Sequence, residues 1–434
     1  MKNILLINPW IYDFAAYDLW IKPWGLLKIS SILKNNGFKV YFVDTLDRQS
    51  SFLSEKLKIS SSGTGKFSFE EVEKPFVFKE IQKKYKRYGL YRKDFNSALP
   101  DKKMDFILVS SGMTYWYLGA FEAIKILKQK YKDAPIILGG TYATLSYEHA
   151  VTSSGADHII RNVELQKLSF IIGGTCDFSF QNILDQQIDY EWYRDPAYAV
   201  LRISLGCPFN CAYCGQKMLS PDFMLKDKKK AIGEIKYLYK EKNITRFAFY
   251  DDALLFNSEY ITEYFEAIIK ENIKADFYTP NGLHARFISG EIASLMKRIN
   301  FINPILSLET ADDTVSGNWH KKVTAGDLEK AISNLRRAGY KKGEYTVYLM
   351  FGAPGTTFES VEKDIEYVHS LGARISLSEF SPIPGTKMAQ GFIKNEQDPL
   401  LHNNSAYPSF LPSEWQEIKQ IKKKASDLNC RRFA

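Results

Sequence analysis

Short apolar runs alternate with amphipathic helical stretches twice over along this chain, and that alternation restricts it to parallel sheets flanked by helices. The first series reads ILLIN (4–8), a helix over Pro23 to Asn35 closed by Gly37, VYFVD (40–44) and FILVSS (106–111). A helix around Ala120 to Tyr131, PIILGG (135–140), a helix near Tyr147 to Ser153 and ADHIIR (156–161) complete it. Residues 1 to about 165 are therefore expected to form a Rossmann-like, doubly wound parallel sheet, with ligands at the carboxyl ends of its strands. The second series begins at Ala199 with AVLRISL, RFAFYDD, ADFYTPN, NPILSLET, EYTVYLMFGAPG and RISLSEFSPIPG. Helical stretches over Lys228–Glu241, Glu259–Glu271, Gly290–Arg298, Asp327–Ala338 and Phe358–Leu371 separate these runs. Six strand-helix units predict a partial (β/α)6 barrel of TIM type over 198–395, its site at the strand C-terminal ends. The fold class is α/β.

Three stretches fall outside the two series. Residues 48–103 interrupt the first after its second strand, too long for a plain connection, with fourteen Lys/Arg against seven Asp/Glu. The segment contains SSSGTGKF, which lacks P-loop spacing, and a lysine-rich FKEIQKKYKRYG that reads as helical. Such a basic insertion is expected to act as a lid or to meet an anionic substrate, an acidic partner, nucleic acid or a membrane surface; a solvated face is the plainer reading. Residues 166–197 read as a linker, and 396–434 as a helical tail starting from Ser413 as its cap.

At 434 residues, 45% apolar and 25% charged, the chain has ample material for folded domains. Its opening lacks the long apolar stretch of a signal peptide, and no uncharged run approaches the roughly 20 residues of a membrane helix. A cytoplasmic protein without an integral membrane segment is expected. Five cysteines in such a chain suit a reducing compartment rather than a disulfide framework.

Three of those cysteines, Cys207, Cys211 and Cys214, lie in CPFNCAYCG directly after the first strand of the second series. Three thiolates on one short loop bind three irons of a cubane cluster and leave the fourth iron open to chemistry. The alternative is structural zinc, which closes with four ligands and would need a distant fourth such as His158, Cys176 or Cys430.

This C-x-x-x-C-x-aromatic-C pattern, with Tyr213 as the aromatic, resembles the hallmark of the radical S-adenosylmethionine superfamily. Further resemblances extend from about Leu201 to Thr386. FYDDALLF places Tyr250, Asp251 and Asp252 where the family meets the amino group of S-adenosylmethionine, although Asp252 also suits a helix cap. SLET resembles the ribose-binding strand, with Glu309 accepting from sugar hydroxyls. Asn281 in TPNGLHAR is either a further polar contact or half of an Asn-Gly turn. MFGAPGTT resembles the adenine loop, where Gly352 and Gly355 admit the ring, and SPIPGT completes the set. The resemblance implies a 4Fe-4S cluster and S-adenosylmethionine as cofactors, reductive cleavage to a 5′-deoxyadenosyl radical, and an electron donor such as flavodoxin or ferredoxin.

The first domain resembles the cobalamin-binding domain that precedes many such barrels. The segments are INPW, KPWGLLKISSILKNNGFKV, SSGMTYW and ILGGTYATL, which single out Ser110, Ser111, Gly112, Met113, Thr114, Gly139, Gly140 and Tyr142 as contacts. The D-x-H-x-x-G motif is missing, and neither His149 nor His158 stands in its context, so a histidine lower ligand is not expected; Asn162-Val163-Glu164 replaces the usual glycine-glutamate pair. The resemblance implies methyl transfer, or a ring-forming or rearranging reaction, on a small-molecule or anionic substrate. A tRNA-modifying methylthiotransferase would ordinarily carry three further cysteines and an RNA-binding barrel, which argues against nucleic acid. A non-catalytic iron-sulfur subunit is the other alternative.

Overall fold

The computed structural model describes residues 1–320, 323–393, 398–406 and 410–431. It divides into two compact units. The first comprises 1–200 and 218–221 together with the described residues 398–406; the second comprises the remainder.

The first unit is built on a five-stranded parallel sheet in the order His158–Ile159, Ile136–Leu138, Phe106–Val109, Asn3–Asn8, Lys39–Asp44. Numbered along the chain these are strands 5-4-3-1-2. The reversal between the first and third strands opens a crevice outside their carboxyl ends, where such sheets bind ligands. Ile4, Leu5, Leu6 and Ile7 are all fully buried, as a continuous apolar run in a sheet covered on both faces requires. Helices Trp24–Asn35 and Tyr117–Lys130 flank it. The latter approaches so closely that a Cβ on Gly119 would lie 1.9 Å from the carbonyl oxygen of Trp10. Residues 166–197, expected as a linker, fold with this unit and include helices Gln166–Ile171 and Phe180–Asp185.

The insertion differs from its sequence reading. FKEIQKKYKRYG forms no helix; Phe76–Phe78 is a 3-10 turn and Lys86–Tyr88 a strand between Ile11–Asp13 and Phe69–Glu71 in an antiparallel sheet. Phe78, Ile81 and Tyr85 have helical spacing and all are buried, but strand Ile11–Asp13 offers the backbone hydrogen bonds that win. Phe67 and Tyr88 form one apolar cluster with Ile11 and Leu46. SSSGTGKF wraps a buried guanidinium. Arg48 donates to the carbonyls of Lys58, Gly63 and Lys66 and pairs with Asp18 at 3.2 Å. Arg48 thus serves the fold of its own unit, whereas most of the insertion's lysines are exposed.

The six strands expected of the second series all form. Ala199–Leu201, Arg246–Phe249 and Asp276–Tyr278 form one sheet. Ile305–Glu309, Thr346–Phe351 and Arg374–Glu379, preceded by Leu283–His284, form a second parallel sheet, and a lone parallel bridge joins Phe277 to Phe301. Phe247, Phe249, Phe277 and Phe301 stack in the interior. Helices between strands start at side-chain caps, including the Thr324/Asp327 capping box. The tail helix runs Trp415–Cys430, preceded by a 3-10 turn, and Ser413 is not its cap. Among the described residues no helix is long and apolar enough to cross a membrane.

Candidate active site

The cysteine loop leaves strand Ser204–Leu205, which pairs antiparallel with Met224–Leu225. Gly206 makes the exit possible. Its φ is +77°, and a Cβ would sit 2.0 Å from the carbonyl oxygen of Asp222, so only glycine fits. Cys207 is buried, Cys211 half-buried and Cys214 exposed, and no disulfide engages them. The amide of Cys214 donates to the Cys211 carbonyl at 3.1 Å, folding the second half of the loop into a turn.

Both halves of the loop are braced. Ala212 donates to the Trp319 carbonyl at 3.3 Å and accepts from the Met388 amide at 2.9 Å, while Trp319 Nε1 donates to the Pro354 carbonyl. Ala212, Trp319, Ala353, Phe380 and Met388 form an apolar cluster against which Tyr213 packs. Phe209 lies 4.5 Å from the His284 ring, with the Arg286 guanidinium 4.5 Å above it. Among the described residues no three His, Cys, Asp or Glu side chains converge on one ion. A cubane asks for no such convergence, since each thiolate takes a different iron.

The expected strand-end residues surround this loop to different degrees. Tyr213, Cys211 and Glu309 come together: burial, the Glu309 charge and Cys211 hold the Tyr213 hydroxyl well above its usual range. Glu309 ends its strand at a register shift with φ +68°, a left-handed conformation that costs a non-glycine residue about 1–3 kcal/mol and is found at functional sites. Asn281 Nδ2 donates to the carbonyls of Tyr250 and Asp251 at 3.1 and 3.2 Å, which ties two strand ends together. Gly352 and Gly355 both have positive φ, and their loop lines a cavity of about 360 Å³ with Phe351, Phe358, Phe410 and Glu414 among its other walls.

The two adjacent acids turn toward the first strand. Asp251 Oδ1 accepts from the amides of Ile203 and Ser204 and from the Ser204 hydroxyl at 2.6 Å, while its Oδ2 is buried without a hydrogen-bond partner. Burial pushes its carboxyl up to about 6, against the Ser204 hydrogen bonds and the Arg202 charge. Asp252 pairs with Arg202 at 2.7 Å. Sequence reasoning missed Arg202, Ser204, Phe209, Arg286 and Trp319, because their roles depend on chain segments far apart in sequence.

The profile described as "Radical SAM superfamily" matches residues 201–368. The chain carries a radical SAM domain. Such domains work with a 4Fe-4S cluster and S-adenosylmethionine, and the residues fit both: three thiols on a loop whose exit only Gly206 permits, and a carboxylate, Glu309, against the Tyr213 that Cys211 also meets. The chain is 26% identical over 148 residues to the anaerobic magnesium-protoporphyrin IX monomethyl ester cyclase of Synechocystis sp., covering 34% of this chain and 30% of the cyclase. It is 21% identical over 299 residues to the cyclase of Cereibacter sphaeroides, covering 59% of this chain and 48% of that one. The chain thus spans less than half the length of either relative. Among solved structures it resembles the radical S-adenosylmethionine methyltransferase TsrM of Kitasatospora setae, solved with cobalamin and a [4Fe-4S] cluster. That match has a TM-score of 0.66 at 15% identity and covers 90% of this chain and 78% of TsrM. The cobalamin-dependent S-adenosylmethionine radical enzyme OxsB matches with a TM-score of 0.58 at 11% identity, over 98% of this chain and 56% of OxsB. These structural likenesses establish shared fold.

In the first unit the eight residues singled out for cobalamin separate into two sets. Ser111, Thr114, Gly140 and Tyr142 are committed inward. Ser111 Oγ donates to the Gly139 carbonyl at 2.6 Å, and a Cβ on Gly140, at φ +97°, would lie 2.4 Å from the Ser111 oxygen. Tyr142 is fully buried with its hydroxyl 2.6 Å from His149 Nδ1, and Thr114 Oγ1 meets His402 Nδ1 at 3.1 Å. Ser110 and Gly139 are half-buried and Gly112 and Met113 exposed. A Cβ on Gly139 would have nothing closer than 3.6 Å, so this small, uncharged rim suits a bulky cofactor approaching along backbone.

Proposed function

We propose that the chain is a radical enzyme that cleaves S-adenosylmethionine reductively at a 4Fe-4S cluster held by Cys207, Cys211 and Cys214. It uses cobalamin at its first unit to methylate, cyclise or rearrange a small-molecule or anionic substrate, drawing its electron from a donor of flavodoxin or ferredoxin type. The observation that carries the reading is the meeting of Cys211, Tyr213 and a conformationally strained Glu309 at one strand end.

When bound, the cluster and S-adenosylmethionine supply one-electron cleavage of a carbon-sulfur bond and a hydrogen-abstracting 5′-deoxyadenosyl radical. Cys207, Cys211 and Cys214 would hold the cluster through their thiolates, three ligands for four irons. Glu309 accepts from ribose hydroxyls, and the glycines at 352 and 355 let backbone reach the adenine. Tyr213, packed on the Ala212–Trp319–Met388 cluster, excludes water beside Cys211. Asp251 and Asn281 hold the neighbouring strand ends in place, Asp251 through Ser204 and Asn281 through Tyr250. Cobalamin is supported by the reversed strand order, the small rim and the fold shared with TsrM. TsrM is named a methyltransferase and the two curated relatives above are named cyclases, so both reaction types stay in the proposal.

The test is anaerobic reconstitution with iron and sulfide, then measurement of 5′-deoxyadenosine from S-adenosylmethionine and a reductant. The parent should yield about four irons per chain and 5′-deoxyadenosine, and Cys211→Ala should fall to background. Undiminished product from Cys211→Ala would overturn the assignment.

A further inference from the structure

We propose that the crevice at the carboxyl ends of the first unit's sheet is wired to accept hydrogen bonds. It takes a ligand edge of amide N–H groups, such as the side-chain amides of a corrin ring, and turns away a phosphate-led nucleotide. This rests on the cobalamin reading above and adds the polarity of the site.

The wiring starts from a buried carboxylate. Asp44 ends the strand beside Asn3–Asn8, in register with Asn8. Its Oδ1 accepts from Asn8 Nδ2 at 2.7 Å and from the Leu46 amide at 3.0 Å, and its Oδ2 accepts from the Tyr193 hydroxyl at 2.7 Å. All three neighbours are donors, so the orientation of the Asn8 amide is decided: nitrogen to Asp44, oxygen away from it. That Asn8 oxygen lies 3.1 Å from Ser110 Oγ. An amide oxygen can only accept, so Ser110 gives its one proton to Asn8 and offers lone pairs alone. Ser110 is half-buried at the sheet's switch point, beside the exposed Gly112 and Met113.

A second buried carboxylate of this unit is likewise surrounded by donors: Asp13 accepts from the Phe14 amide, from Asn403 Nδ2 at 3.0 Å and from Trp116 Nε1 at 2.8 Å, Trp116 standing two residues beyond Thr114. The cation facing the Asp44 chain, Lys22, lies 3.9 Å over the Tyr193 ring and 3.6 Å from Asp47. A phosphate carries acceptors and negative charge and meets an acceptor backed by a buried carboxylate. An amide edge presents donors without charge and completes the chain.

Full-length protein is titrated with hydroxocobalamin, with dicyanocobinamide, which keeps the corrin amides and lacks the nucleotide phosphate, and with flavin mononucleotide, following tryptophan fluorescence. The parent should bind both corrinoids and not the flavin. Ser110→Ala should weaken both corrinoids about tenfold, the worth of one lost hydrogen bond in a semi-enclosed site, with Ser110→Thr within about threefold of the parent. Asp44→Asn, which frees Asn8 to turn over, should mimic Ser110→Ala; if it does not fold, the two Ser110 variants decide. Corrinoid binding unchanged in Ser110→Ala, or flavin binding comparable to corrinoid binding, overturns the polarity and leaves cobalamin standing. Binding of hydroxocobalamin without dicyanocobinamide overturns the amide edge in favour of the nucleotide tail. Binding of neither corrinoid removes both proposals.

Discussion

Glu309 shows how much a single residue's conformation can say. An L-residue at φ +68° pays a strain that glycine would not, and the chain keeps a carboxylate there beside Tyr213 and Cys211. Glu309→Gly should therefore leave the melting temperature unchanged or raise it, by up to about 1 kcal/mol of stability, while weakening S-adenosylmethionine binding at least tenfold. Thermal melts and equilibrium binding on the reconstituted protein check both halves, and a lower melting point with unchanged binding would assign Glu309 to the fold instead. The residues of SLET marked Glu309 in sequence, but not its backbone strain. The same holds for Asp251 and Asp252, whose residue types suit an ammonium partner while their hydrogen bonds run to Ser204 and Arg202.

Among the elements, the insertion changes most between sequence and structure. Its lysines suggested a detachable basic lid, yet strand Lys86–Tyr88 is central to a three-stranded sheet, and Arg48, Phe67, Phe78 and Tyr85 are buried. Arg87, itself buried, donates to Glu122 on helix Tyr117–Lys130 at 2.6 Å and to Glu70. Deleting 48–103 should consequently unfold the first unit rather than yield an enzyme without a lid, seen as loss of its protease resistance. Charge reversal at the exposed Lys79 and Lys84 should leave the melt within about 0.5 kcal/mol of the parent, as surface substitutions do. That variant, not the deletion, is the one in which to compare substrate turnover. A folded, protease-resistant deletion variant would show the insertion to be an independent lid after all.

At the scale of the whole molecule, the first unit is discontinuous. Residues 398–406 follow the second unit's last strand yet pack with the first: Tyr117 donates to Asp398 at 3.0 Å, and Asn403, fully buried, donates to Asp13. Asn403→Leu removes a donor from a buried carboxylate and should cost about 1–3 kcal/mol, read as an earlier unfolding transition of the first unit in urea. An unchanged transition would make the segment a passive covering. Periodicity and composition alone determined the α/β class, the two series of strands, the three cysteines and the strand ends that carry polar and glycine-rich motifs, because these depend on side-chain pattern within a few residues. Only the tertiary structure decided that KRY is a strand, that Arg48 fills SSSGTGKF, that Tyr142 is buried while Ser110 stays at the rim, and that Asn403 belongs beside Asp13. The physical reason is that a backbone hydrogen bond or a buried charge is satisfied by whichever partner the fold brings near, and in each of these cases that partner comes from another part of the chain.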